Sequence, residues 1–174
     1  MTRYLALLRG INVGGKNVLP MAALRDALVH AGYGGVATYI QSGNVVLSSS
    51  TALKSLDIAN VITVKFGIDI AVMIRTEREI EATLANNPFA AAAPKTVHVG
   101  FLSDPVHSDA LEDFDGDSFN PDRFAVHPRE IYFELPNGMG NAKLVPALQR
   151  RIKNPMTVRN LQTVQKLAEM LHER

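Results

Sequence analysis

The stretch Val36-Ala-Thr-Tyr-Ile-Gln-Ser-Gly-Asn-Val-Val-Leu-Ser48 decides the fold. Two apolar, partly β-branched runs, Val36 to Ile40 and Asn44 to Ser48, flank Gln41-Ser-Gly-Asn. Gly43 can adopt the positive φ that a tight hairpin turn requires. Working outward, residues 3–9 read as a strand. Pro20 to Ala31 reads as a helix, with Met21, Leu24, Leu28 and Ala31 at three- and four-residue spacing and Gly32 as its C-cap. After the hairpin, Leu53 to Phe66 predicts a second helix ended by Gly67, and Ile68 to Arg75 a strand that is apolar at nearly every position. The order β-α-β-β-α-β is the split, ferredoxin-like arrangement. Thr76 followed by Glu79 is a capping box, so a further helix is expected there.

Asn87-Pro-Phe-Ala-Ala-Ala-Ala-Pro94 interrupts the periodicity, and the same order of elements then recurs. Val97 to Leu102 predicts a strand, Ser108 to Phe114 a short acidic helix, and Arg123 to His127 with Glu130 to Leu135 a hairpin around Pro128. Lys143 to Ile152 predicts a helix, Thr157-Val158 a short strand, and Asn160 to His172 a terminal helix with Leu161, Val164, Ala168 and Leu171 on one stripe. Arg75 and Arg159 end corresponding strands. The expectation is an α+β protein of two ferredoxin-like halves packed together, a topological duplication, with residues 1–87 and 95–174 as the halves and 88–94 as linker. Tyr4–Leu8 and Ile68–Ile74 are apolar on both alternating faces, which predicts burial of both and makes a seam between halves the natural ligand site.

The loop after the first strand, Gly10-Ile-Asn-Val-Gly-Gly-Lys-Asn17, comes within one residue of a phosphate-binding P-loop. Three features speak against that motif. Asn17 stands where a magnesium-binding hydroxyl belongs. Pro20 moves the helix start three or four residues beyond Lys16, whereas a P-loop needs the helix to begin at the lysine step. The β-α-β-β-α-β order is also not a P-loop fold.

Composition sets further bounds. A chain of 174 residues, 47% of them hydrophobic, can bury about 70% of its unfolded surface. With 18 basic and 17 acidic residues the formal charge is +1, which offers no bulk field for nucleic acid or membrane. There is no cysteine, which removes disulfides and thiol chemistry and fits a reducing cytoplasm. The N-terminal residues lack a secretory pattern, and no apolar run approaches transmembrane length, so a cytoplasmic location is expected.

The segments Leu8-Arg-Gly-Ile-Asn-Val-Gly-Gly-Lys-Asn17, Thr38-Tyr-Ile-Gln-Ser-Gly-Asn-Val-Val46, Asn87-Pro-Phe89, Pro136-Asn-Gly-Met-Gly-Asn-Ala-Lys-Leu144 and Thr157-Val-Arg-Asn160 resemble a bacterial family known as domain of unknown function 1697. The chain departs from that family's pattern at Ala142, where Ser is commoner, and at Leu161, where Trp is commoner. The resemblance implies a two-part α+β fold of ferredoxin-like topology. It implies no reaction.

These segments fall at strand ends and turns and are rich in Gly, Asn, Lys and Arg, a chemistry suited to phosphate or carboxylate. The candidate ligand-binding set is Arg9, Asn12, Gly14, Gly15, Lys16, Asn17, Gln41, Ser42, Asn44, Gly138, Gly140, Lys143, Arg159 and Asn160. Lys16, Lys143 and Arg159 would clamp an anion, Arg159 in a bidentate way. Each also has an ordinary structural reading: the glycines as turn residues, Asn141 and Asn160 as helix caps, Arg9 and Arg159 as partners of carboxylates. The five histidines show no metal-ligand spacing. Asp113-Phe-Asp-Gly-Asp117 lacks the glycine position and bidentate Glu of a calcium loop. Ser42 has no identifiable base partner, and no cofactor or metal is implied. The leading functional expectation is binding, with turnover left open, of a small anion such as a nucleotide or phosphorylated metabolite. A nucleic-acid-binding protein and a protein-interaction module are the alternatives, and the near-zero charge argues against the first of these.

Overall fold

The computed structural model describes residues 1–107 and 109–173. Its first strand, β1 (Thr2–Leu8), is followed by α1 (Met21–His30). Pro20 is the N-cap of α1, with φ −64°, so the helix begins where the proline directs it. The decisive hairpin is β2 (Gly34–Tyr39) and β3 (Asn44–Ser49), after which come α2 (Ser55–Phe66), β4 (Val72–Thr76) and α3 (Glu77–Ala85). β4 is shorter than expected, its strand beginning at Val72. The capping box at Thr76 forms as read: its backbone N–H donates to Glu79 Oε2 at 2.7 Å, and the Glu79 N–H donates to Thr76 Oγ1 at 3.3 Å.

The remaining elements are β5 (Val97–Leu102), β6 (Arg123–Val126), β7 (Glu130–Glu134), α4 (Leu144–Ile152), β8 (Met156–Asn160) and α5 (Leu161–Glu173). The described residues thus form an α+β protein with two four-stranded antiparallel sheets and five α-helices. The sheets are ordered β2-β3-β1-β4 and β6-β7-β5-β8, the same pairing order in each.

One expected element is missing. The acidic helix between β5 and β6 does not form over residues 109–114; its expected first residue, Ser108, lies outside the described residues. Separate three-residue turns replace it, with the Ala110 N–H on the His107 carbonyl, Glu112 on Asp109 and Phe114 on Leu111. A helix of only seven residues, the length expected over 108–114, is too short to offset helix nucleation on its own. The second half therefore departs from the full β-α-β-β-α-β pattern.

The chain divides into two compact units, Met1–Ala82 with Lys166–Arg174 and Thr83–Gln165. In the first, Ala6, Leu8, Leu24, Leu28, Val45, Leu47, Ile58 and Ile62 form a core under α1 and α2. Leu5 and Leu7, on the opposite face of β1, are also fully buried. In the second, Leu102, Ile131, Phe133, Leu144 and Leu148 form the core beneath α4. The expected linker, 88–94, lies inside this second unit. Phe89 is buried there and carries the Arg123 guanidinium 5.1 Å above its ring.

Gly43 is a point of close packing in the first unit. A Cβ there would stand 2.7 Å from Leu8 Cβ and 2.8 Å from Ile11 Cδ1, and its φ is +85°. Gly43→Ala is therefore expected to lower unfolding free energy by about 3 kcal/mol, from left-handed strain plus overpacking. Urea denaturation read by circular dichroism measures it, and a loss below about 1 kcal/mol would contradict the close approach.

Candidate functional site

The Gly10–Asn17 loop is a closed tongue. Gly10, Asn12, Gly14, Gly15 and Asn17 all have positive φ. Gly14 and Gly15 are the central residues of a turn closed by the Lys16 N–H on the Val13 carbonyl at 3.0 Å, and the Asn12 N–H reaches the Asn17 carbonyl at 3.1 Å. The N–H groups of Asn12 and Lys16 are thus taken up by the tongue itself.

Its asparagines act as braces. Asn12 Nδ2 donates to the carbonyls of Leu19 (3.0 Å) and Gln41 (2.9 Å), while its Oδ1 accepts from the Leu19 N–H at 2.8 Å. Asn17 Nδ2 donates to the Gly10 carbonyl at 3.0 Å. Asn44, fully buried, donates from Nδ2 to the Tyr39 carbonyl and to Ser42 Oγ, both at 2.9 Å. The fold therefore brings Asn12, Asn17, Gln41, Ser42 and Asn44 together, as an internal network that holds the tongue to the β2–β3 turn. Lys16 stands exposed on the tongue, and the Arg9 N–H pairs with the Ala71 carbonyl at 3.0 Å.

In the second unit the candidate residues separate. Gly138, at φ +83°, Gly140 and Lys143 belong to the turn between β7 and α4. Lys143 lines a polar cavity of about 240 Å³ with Ser118, Asn120, Asp122, Asn137 and Asn141. Arg159 is buried on β8, where it donates to Thr157 Oγ1 at 2.6 Å and to the Val158 carbonyl at 3.0 Å. Desolvation lowers its pKa to about 10, and it does not line the Lys143 cavity. Asn160 caps α5, accepting from the Gln162 N–H at 2.9 Å, and donates to the Lys95 carbonyl at 3.1 Å.

Several features escaped sequence reading. Ile40, a β-branched residue half exposed to solvent, sits at φ +50° beside the Asn12 brace. Nothing in its residue type marks it for the left-handed region. Arg75 is buried at 1% exposure, its Nη1 donating to the Ile74 carbonyl at 2.9 Å. Glu77, Glu81 and His172 bring ligand atoms within 4.8 Å of one another. Arg3 supplies the counter-charge there, pairing with Glu77 Oε2 at 2.7 Å and donating to the His172 carbonyl at 2.8 Å. The 118–122 wall of the polar cavity had no signal beyond the turn residues Asn120-Pro121.

His98, on β5 opposite Phe133, is 8% exposed, and its Nδ1 has no hydrogen-bond partner among the described residues. Burial depresses its pKa below the ordinary 6.5, with the Thr96 carbonyl acting in the opposite direction.

The family model described as "Protein of unknown function (DUF1697)" matches residues 1–132, and the chain belongs to this family. A solved structure of a conserved bacterial protein from Streptococcus pneumoniae aligns over 98% of each chain with a TM-score of 0.73 and 24% identity, a likeness of fold. No curated protein matches the chain. No helix among the described residues is long and apolar enough to cross a membrane.

Two outcomes follow for the strained and buried groups. Ile40→Asn is expected to raise stability by about 1 kcal/mol, because asparagine tolerates left-handed backbone; a lower urea midpoint for the variant would contradict this. For His98, the folded state binds fewer protons than the unfolded chain below pH 6.5. Its contribution is therefore complete above that pH and is lost as pH falls toward the depressed folded value. The stability difference between the native chain and His98→Leu should shift against the native chain between about pH 7 and pH 5, read from urea midpoints. A difference independent of pH would refute the assignment.

Proposed function

We propose that the chain binds a small metabolite carrying one anionic group, phosphate or carboxylate, in the Lys143 cavity. The observation that carries this reading is Lys143 itself: among the described residues its ammonium makes no hydrogen bond or ion pair, though it lines a cavity with Asn120, Asn137 and Asn141. The anion would meet the ammonium as a point charge, with the Asn120, Asn137 and Asn141 side chains beside it in the lining. Asp122 lines the same cavity without pairing with Lys143, and desolvation raises its pKa. It suits a hydroxyl or amine on the ligand's other end. At about 240 Å³ the space fits a small phosphorylated or carboxylated molecule better than a whole nucleotide.

Ser118, the one hydroxyl of the lining, donates to the Asp115 carbonyl at 2.8 Å, which supports binding rather than nucleophilic turnover. Tyr132 and Phe133 of β7 are buried, so these rings offer no stacking platform for bases. The shared strand order supports reading both units as ferredoxin-like, and the cysteine-free composition supports a cytoplasmic setting.

A thermal-shift panel of inorganic phosphate, small phosphorylated metabolites and carboxylates tests the proposal. At least one member should raise the melting temperature, Lys143→Ala should abolish that rise, and Lys16→Ala should leave it intact. Asp122→Asn should strengthen anion binding at neutral pH, and native affinity should rise as pH falls through the raised Asp122 pKa. No stabilisation by any member, or equal stabilisation of Lys143→Ala, would overturn it.

A further inference from the structure

The outer surface of α1 and α2 carries a groove that the first unit's own core leaves uncovered. It encloses about 670 Å³, with Ala23, Ala27 and Ala31 on the α1 side and Asn60, Val61 and Val64 on the α2 side. The two sides differ in relief. On α1 the alanines recur at i, i+4 and i+8 and make a shallow trough. On α2 Leu56, Asn60 and Val64 recur at the same spacing and make a ridge, with Leu56 70% and Val64 87% exposed. Apolar side chains grouped at such exposure on paired helices mark a contact surface.

We infer that this face is the contact between two copies of the chain. A two-fold axis lying along the groove sets α1 of one protomer over α2 of its partner, so that each ridge enters the other's trough and the same contact is made twice. A second copy placed this way covers the exposed Leu56 and Val64 of both protomers at once. Charge follows the same division. Asp26 flanks the trough and Lys65 flanks the ridge, so the arrangement opposes an acid and a base on both sides of the axis. Asp26 is held by Arg25 only through an exposed contact of 3.3 Å between adjacent residues, which leaves it available to the partner.

Sedimentation of the full chain over micromolar to submillimolar concentrations tests this. The expected mass is twice the 19.0 kDa of the monomer. Val64→Asp should weaken association by about tenfold or more, since it would place an unpaired charge in the trough. Its melting should be unchanged at concentrations where both proteins are monomeric, because the side chain is solvated in one copy. Asp26→Lys and Lys65→Asp should each weaken the dimer, and the double variant should restore it. A native chain that stays monomeric throughout, or a dimer that Val64→Asp leaves intact, would overturn the inference; in the first case a helix supplied by a different protein becomes the candidate occupant.

Discussion

The first unit depends on the absence of one carbon atom. Gly43 lies so close to Leu8 and Ile11 that any side chain would displace them. That contact lets the Leu8 N–H reach the Gly43 carbonyl at 2.8 Å and seats the β2–β3 turn on the end of β1. Once the turn is seated, the Gln41 carbonyl comes within reach of Asn12, and Asn12 in turn draws in Leu19 just ahead of α1. A chain of short polar contacts thus follows from a steric one, and the Gly10–Asn17 tongue inherits its shape from it. The left-handed conformations of Asn12, Asn17 and Ile40 are costly singly and persist because this network over-determines them.

The buried polar groups tell the same story at the strand level. Asn44, Arg75, His98 and Arg159 all lie within strands and all are nearly inaccessible. Burying such groups is tolerated only where their donors are taken up, as Asn44 shows with Tyr39 and Ser42, and Arg159 with Thr157 and Val158. His98 is the exception at Nδ1, and it answers the lack of a partner by favouring its neutral form. Polar groups placed this way favour one register over its neighbours, because a one-residue slip would turn each of them to the other face.

The two units share a strand order and differ in how the chain crosses from the first strand to the second. In one, α1 makes the crossing and packs beside α2. In the other, turns and a single 3-10 turn at Asp117–Phe119 make it, and no α-helix forms among the described residues between β5 and β6. The consequence shows on the surface of each unit. The helical crossing leaves a two-helix groove on the surface of the first unit. The turn-built crossing instead delivers Ser118, Asn120 and Asp122 to the mouth of a polar cavity, against Lys143. Loops on a rigid scaffold are where such chemistry usually sits.

Local chemistry determined most of the elements and their order. The hairpin at Gly43, the helix start at Pro20, the capping box at Thr76 and Glu79 and the glycine ending α2 all act within a few residues, and all are legible in the chain. The weak acidic helix after β5 misled, because helical composition over seven residues does not overcome nucleation without a partner surface. The candidate site was legible only in part: Lys143 reaches a cavity, while Asn12, Asn17 and Asn44, equally suggestive in sequence, act as braces. What an asparagine amide or a lysine does depends on which distant backbone groups the fold sets within three ångströms of it. Periodicity carries no record of those distances; tertiary packing alone decided them.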